Sequence, residues 1–330
     1  MSDYENLVDV VSVLGKEGLV WFCRDRVIGF DDVVIVEAKF SSDFECAVPA
    51  SDFGHILGLL DKTRKCDMRA SSSALLIESE GLKVELCTLD AGPPPLQASV
   101  VFASEGVCSD LGWYSKVLKR ILSVTKGGVG WLESVVCLDR SGVFGTDGVR
   151  ACGCFADGLV QDRLLVSAEG LKRVLKVVER GRSLDGFVNV EGKCVFRLDG
   201  GELYVCVLSY DFDYPDVGSL MKEKKGEVRL CLRVDEASMD RLDRVIKIFD
   251  EKDIVLLVVQ DKKLKMQVDS VKGIKWEEIL QDVEVGEGWE ARVFVRDLRE
   301  VLEGVVEIGF LRNAIYLRSV EGVEYIIVCT

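Results

Sequence analysis

Strand-like runs and short amphipathic helices alternate along this 330-residue chain, and the same order recurs three times. Such a recurrence calls for repeated supersecondary units that bury their apolar faces against one another. The runs GLVWFCRDRVIGFDDVVIVEAKF, ALLIESEGLKVELCTL, WLESVVCLDRSGVFGTDGVRACGCF and FVNVEGKCVFRLDGGELYVCVLS are rich in Val, Ile, Leu, Cys and Phe. Within them DRSG, VEGK and LDGG predict hairpin turns, with Gly supplying the positive φ such turns need. Helices are predicted at 4–14 and 51–60, at 111–124 and 167–178, and at 235–249 and 295–302. Each keeps an apolar stripe at helical spacing, such as Leu171, Val174, Leu175 and Val178, or Leu242, Val245, Ile246 and Phe249. Ser51 and Ser167 stand where N-caps are expected.

Two helices and their strands make one unit of about 100–125 residues, a common domain size. Boundaries are expected near the proline cluster AGPPPLQ (91–97) and the charge-rich MKEKKGEV (221–228), read as a linker. The expected domains are therefore 1–96, 97–224 and 225–330, in an α+β fold with internal pseudo-symmetry.

Hydrophobic residues make up 48% and charged residues 30%, which suits a packed chain rather than a disordered one. No apolar run approaches the roughly 18 residues of a membrane span, and MSDYENLVDVV lacks a basic segment ahead of an apolar core, so a cytoplasmic protein is expected. The twelve cysteines are scattered, with no C-x-x-C pair, and most fall in strand-like runs where a thiol packs as a small apolar group. Cys152 and Cys154 would point the same way from a strand, but two thiolates make a poor metal site. Neither a metal nor a cofactor is expected.

Catalytic signals are equally thin. His55 is the single histidine. TKGGVGW (125–131) has Trp131 and Leu132 where a phosphate loop needs Lys and Ser/Thr. No paired carboxylates stand in a catalytic context, so the chain is expected not to be an enzyme. GTDGVRACG (145–153) leaves three readings open from its residues alone: a phosphate loop, a metal loop, or a hairpin corner in which Asp147 caps a turn.

The formal net charge is −14, yet cations concentrate on particular helices. Residues 111–126 hold Lys116, Lys119, Arg120 and Lys126 and no acid, and Lys116, Lys119 and Arg120, spaced i, i+3, i+4, share a face opposite Tyr114, Leu118, Ile121 and Leu122. Lys172, Arg173 and Lys176 lie on the second helix of the middle block. Arg241, Arg244, Arg296 and Arg299 lie on the helices of the last block, and Lys16, Lys62, Arg64 and Lys65 at helix ends of the first. Basic helices in an acidic chain make one surface that attracts phosphates and another that repels them.

The middle block, YSKVLKRIL…VVCLDRSGVFGTDGVRACG…RLLVSAEGLKRVLKVV…YPDVGSLM, resembles the central domain of the β subunit of bacterial DNA polymerase III, the sliding clamp. VIKIFDEKDIVLLVV, FVRDLREVL and VEIGFLRNAIYLRS…VEYIIVCT fit the last domain of that family, and the first block fits in element order. The resemblance implies three clamp domains per chain, a head-to-tail dimer, and a ring of twelve helices around duplex DNA. Helices about 9 Å apart give a circumference of roughly 110 Å and, less one helix diameter, a bore of roughly 25 Å. The basic residues named above would then touch DNA without reading its sequence. Thr146, Gly148, Val149, Arg150 and Ala151 match one wall of the family's partner-peptide pocket, with Leu132, Pro215, Ser219, Leu220, Val328, Cys329 and Thr330 completing it. Val84, Ile248 and Phe249 match the dimer contacts.

The implied partners are double-stranded DNA, a replicative polymerase, a clamp loader and a second copy of the chain. Val149 replaces the family's His or Tyr, Ser219 its Arg, and Val328, Cys329 and Thr330 its Met-Pro-Met-Arg tail, as expected of a divergent or virus-encoded member. A clamp-fold peptide-binding module that forms no ring is the alternative. An enzyme of another class is disfavoured by the scarcity of histidine.

Overall fold

The computed structural model describes residues 3–60, 66–79, 81–92, 112–125, 131–157, 160, 162–190, 192–284 and 288–329. The first block runs α1 (Asp3–Val13), β1 (Leu19–Phe22), β2 (Arg26–Phe30), β3 (Val34–Lys39), β4 (Cys46–Pro49), α2 (Ala50–Leu59), β5 (Asp67–Ala70), β6 (Ala74–Ser79) and β7 (Leu82–Cys87). The middle block runs α3 (Gly112–Val124), β8 (Val135–Asp139), β9 (Gly142–Thr146), β10 (Arg150–Phe155), β11 (Leu164–Ser167), α4 (Ala168–Glu179), β12 (Leu184–Val190), β13 (Lys193–Leu198) and β14 (Leu203–Tyr210). Then come α5 (Val217–Gly226), β15 (Leu230–Arg233), α6 (Glu236–Ile248), β16 (Ile254–Gln260), β17 (Lys263–Asp269), β18 (Lys275–Asp282) and β19 (Trp289–Phe294). The chain closes with α7 (Val295–Arg299), β20 (Val305–Phe310), β21 (Ala314–Ser319) and β22 (Glu324–Val328).

The α+β class and the element order agree with the periodicity, with three local corrections. Residues 217–226 form α5, which takes in most of the 221–228 stretch read as a charge-rich linker, because Asp216 caps them and Val217 and Met221 bury one face. Ser51 is not an N-cap: Pro49 holds that position, and the Ser51 hydroxyl donates instead to Asp52 Oδ1 at 3.3 Å. Ser167 does directly precede α4. The last helix stops at Arg299 rather than 302, and the chain continues through separate turns, Val301 N–H donating to Leu298 O and Val305 N–H to Leu302 O.

The chain divides into two compact units, Met1–Ser115 with Glu169–Asp211, and Lys116–Ala168 with Phe212–Thr330. The middle block contributes to both because its strands hydrogen-bond to those of its sequence neighbours. β14 pairs antiparallel with β3, Val205 opposite Val36 and Val207 opposite Val34. β10 pairs antiparallel with β22, Ala151 opposite Ile326.

In the first unit the sheet runs β12-β13-β14-β3-β2-β1-β4, with β5-β6-β7 as a second, three-stranded sheet. Leu7, Val10 and Val13 of α1 are buried against β2 and β3. A Cβ at Gly29 would lie 2.7 Å from both the Leu14 and Val10 side chains, so α1 sits as close as it does because position 29 has none. Phe22 meets Phe40 and Phe53 edge-on. A buried ionic hub lies beside this core. Arg182, 5% exposed, donates to Asp9 Oδ2 (2.6 Å), Asn6 Oδ1 (2.8 Å) and Asp199 Oδ2 (3.0 Å).

In the second unit an antiparallel sheet runs β15-β20-β21-β22-β10-β9-β8-β11, and a four-stranded sheet runs β18-β17-β16-β19. Val255, Leu257 and Val259 of β16 face the core with Leu264, Met266 and Val268 of β17, the period-two pattern of a half-buried strand. Cys152 and Cys154 are both buried on β10, and burial pushes the Cys154 thiol up to about 11 and the Cys152 thiol further, so both behave as apolar groups. No helix among the described residues is long and apolar enough to cross a membrane.

Candidate functional site

The β9–β10 corner is closed by its own side chains. Asp147 Oδ1 accepts from the N–H groups of Val149 (2.9 Å) and Arg150 (2.6 Å), and Oδ2 accepts from Arg150 Nε (2.6 Å). Thr146 Oγ1 accepts from Gly148 N–H (3.1 Å) and donates to Arg150 O (2.7 Å). Gly148 takes φ 88°, which a side chain would disfavour. The loop amides that a phosphate would need already serve Asp147 and Thr146, so this stretch is a hairpin corner and not an anion cradle.

That corner is also one wall of a groove of about 320 Å³ within the second unit, lined by Thr146, Gly148, Val149, Arg150 and Ala151. The second wall is α5, set in place by Asp216, whose carboxylate accepts from Ser219 N–H at 2.9 Å. This bond holds the Asp216 carboxyl below the usual carboxylate range. From α5 come Leu220, Lys224 and Glu227. The β20–β21 corner adds Leu311, Arg312, Asn313 and Ala314, and β22 adds Ile326 and Val328. Ala151, Leu311, Ala314 and Ile326 form an apolar floor that is continuous with Phe144, Tyr214 and Met221 of the core. Val328 N–H donates to Val149 O (3.3 Å) and Cys329 N–H to Asn313 O (2.8 Å), so the end of β22 ties both corners together.

The groove thus gathers seven of the twelve residues that the family resemblance assigns to it: Thr146, Gly148, Val149, Arg150, Ala151, Leu220 and Val328. Leu132 packs on the core below. Pro215 accepts through its carbonyl from Arg163 Nη2 (2.7 Å), and Ser219 sits in the first turn of α5. Cys329 is half-buried beside Asn313, and Thr330 lies outside the described residues. Lys224, Glu227, Leu311, Arg312, Asn313, Ala314 and Ile326 were not anticipated. The capped pattern Asp216–Val217–Leu220–Met221 carried a signal for α5, whereas the Leu311–Ala314 corner has none of its own.

The basic residues fall into two groups. Lys16, Lys116, Lys119, Lys176, Arg244 and Arg296 are exposed and Lys172 is half-buried. Arg120 is 13% exposed, 2.9 Å from Glu321 and bonded to Glu303 O, and Arg173 is 12% exposed and bonded to Asp31. Arg241 donates to Leu280 O, and Arg299 to Phe249 O (2.5 Å). Lys62, Arg64, Lys65 and Lys126 lie outside the described residues.

Of the residues expected at a dimer contact, Val84 is half-buried on β7, an edge strand paired with β6 opposite Ile77. Ile248 ends α6 and is 75% exposed, beside a shallow 190 Å³ depression lined by Phe249, Ile274 and Trp276. Phe249 itself is buried.

No family model matches the sequence, and no curated protein matches it either. Solved structures do. The putative DNA polymerase III β subunit of Eubacterium rectale superposes with a TM-score of 0.80 at 14% identity, covering 99% of this chain and 98% of that one. The β subunit of Pseudomonas aeruginosa gives 0.75 at 17% identity, covering 99% and 97%. The Helicobacter pylori β clamp, solved bound to a DNA ligase peptide, gives 0.76 at 12% identity, again covering 99% and 97%. From end to end, at sequence identities too low for sequence comparison alone, this chain has the fold of the DNA polymerase III β sliding clamps.

Proposed function

We propose that the chain is a DNA polymerase processivity factor: a sliding clamp, without catalytic activity, that pairs head-to-tail with a second copy and encircles duplex DNA. The observation that carries this reading is the end-to-end agreement with the clamp fold, with both partners of each comparison covered almost completely. The exposed lysines of α3 and α4 support it, since a clamp needs loose, sequence-independent phosphate contacts that permit sliding. Closure would join β7, through Val84, to the α6 end of the other copy, where Ile248 stands exposed and β18 presents an edge. Burial in such an interface accounts for a large apolar side chain left in water. The groove would hold a linear segment of the polymerase and of the loader.

Light scattering tests ring assembly most directly. The wild-type chain should have twice the protomer mass, and Ile248→Glu, at an exposed position, should be a folded monomer. A wild-type monomer that still binds partner peptides would replace the ring with a clamp-fold binding module. A dimer unaffected by Ile248→Glu would place the interface elsewhere.

A further inference from the structure

The groove's charges are unevenly satisfied. Arg150 is held by Asp147 at 2.6 Å with Glu300 3.6 Å away, and Lys224 is paired with Glu227 at 2.8 Å. Among the described residues Arg312 is the groove-lining cation for which no ion pair or hydrogen bond is formed, and it is exposed on the β20–β21 corner beside Asn313. The floor below it, Ala151, Leu311, Ala314 and Ile326, is apolar. β22 is hydrogen-bonded on one side to β10 and on the other to β21, so an incoming segment finds no free edge there and cannot bind by adding a strand. Recognition must come from side chains. Apolar ones can fill the floor, and one negative charge can be met at the rim.

We propose that the groove selects an extended acidic segment whose apolar side chains rest on the Ala151–Ile326 floor and whose carboxylate is bound by Arg312. This rests on the groove being the partner site, as proposed above. An arginine fork takes a carboxylate in bidentate fashion, so it fixes the register of a short segment as well as adding attraction. The volume, about 320 Å³, is at the lower end of ligand pockets and suits a few side chains rather than a folded surface.

The test is selection of a displayed random octapeptide library on the full-length protein, on Arg312→Glu and on Leu220→Glu, the last being a change at an exposed groove position. Wild-type protein should select peptides with a pair of apolar residues and at least one Asp or Glu. Synthetic versions with that acid changed to Gln should bind about twofold to fivefold more weakly, and the difference should shrink at high salt. Arg312→Glu should reverse the order, preferring a Lys version. Identical peptides and identical affinity order on wild type and Arg312→Glu would overturn the charge selection while leaving the groove as the site. Selection of the same peptides by Leu220→Glu, or of none by wild type, would overturn the groove itself. Circular dichroism on each variant separates these outcomes from misfolding.

Discussion

On α3, Lys116 and Lys119 reach into solvent while Arg120, adjacent to Lys119 in sequence, is spent on Glu321 and the Glu303 carbonyl. On α4, Lys176 is exposed while Arg173, one turn earlier, is turned onto Asp31 and Val13 O. The division follows the chemistry of the two side chains. A planar, weakly hydrated guanidinium satisfies several acceptors at once and tolerates burial, whereas an ammonium keeps its water. A count of positive residues along a helix therefore overstates what that helix offers to phosphates. On α3 and α4 the cations turned inward are Arg120 and Arg173, whereas Lys116, Lys119 and Lys176 are exposed.

If that division is right, the largest loss of stability should come from the most buried arginine. Arg182→Ala leaves Asp9 with only the outlying Arg180, 3.6 Å away, and takes the cation from Asn6 and Asp199; breaking a buried pair from one side costs about 3–5 kcal/mol. Urea unfolding should show a midpoint shift of that size. A change near the surface norm would mean that water replaces the guanidinium and that the hub contributes little.

Next in size is the Arg173–Asp31 contact, which also carries a pH signature. Burial pushes the Asp31 carboxyl up, but the N–H groups of Gly15, Val33 and Val34 together with Arg173 outweigh it and hold the group below the usual carboxylate range. A depressed folded pKa contributes stability above the unfolded value of about 3.9 and loses it as pH falls through the folded value. Asp31→Asn should accordingly be less stable than wild type at neutral pH by about 1–3 kcal/mol, with the gap closing below about pH 4. A gap independent of pH would show that packing, and not the charge, is what the substitution removes.

Most of the architecture was readable because burial imposes a period: the stripe Leu171, Val174, Leu175 on α4 and the alternation in β16 and β17 follow directly from one-sided packing. The α5 helix escaped because Lys222, Glu223, Lys224 and Lys225 outnumber its two buried apolar residues, Val217 and Met221, and dilute the periodic signal. The groove was half legible for a different reason. Its β9–β10 wall is a local structure written in adjacent residues, with Asp147, Gly148 and Arg150 each needed for the turn. Its other walls come from α5, from Leu311–Ala314 and from β22, far along the chain, and only the sheet order brings them together. The roles of Arg120 and Arg173 were illegible because Glu321 and Asp31 lie 201 and 142 residues away.

The smallest effect on stability should come from the lysines, and it is the one that bears on function. Reversing Lys116, Lys119, Lys172 and Lys176 to Glu, while leaving Arg120 and Arg173 untouched, should keep the unfolding midpoint close to wild type, because surface substitutions usually stay within about 0.5 kcal/mol. On the clamp reading proposed above, the same variant should be loaded onto DNA less well, since the reversal would remove the phosphate contacts assigned to these lysines. Once loaded by its loader, the wild-type protein should survive a high-salt wash on closed circular DNA and run off after the circle is cut, because a topological link does not depend on ionic contacts. A protein held only by contacts to several phosphates loses orders of magnitude in affinity as salt rises, and would leave circular and linear DNA alike. Equal loss from both forms would defeat encirclement. Undiminished loading of the lysine variant would instead keep the ring and move its DNA contacts to other residues.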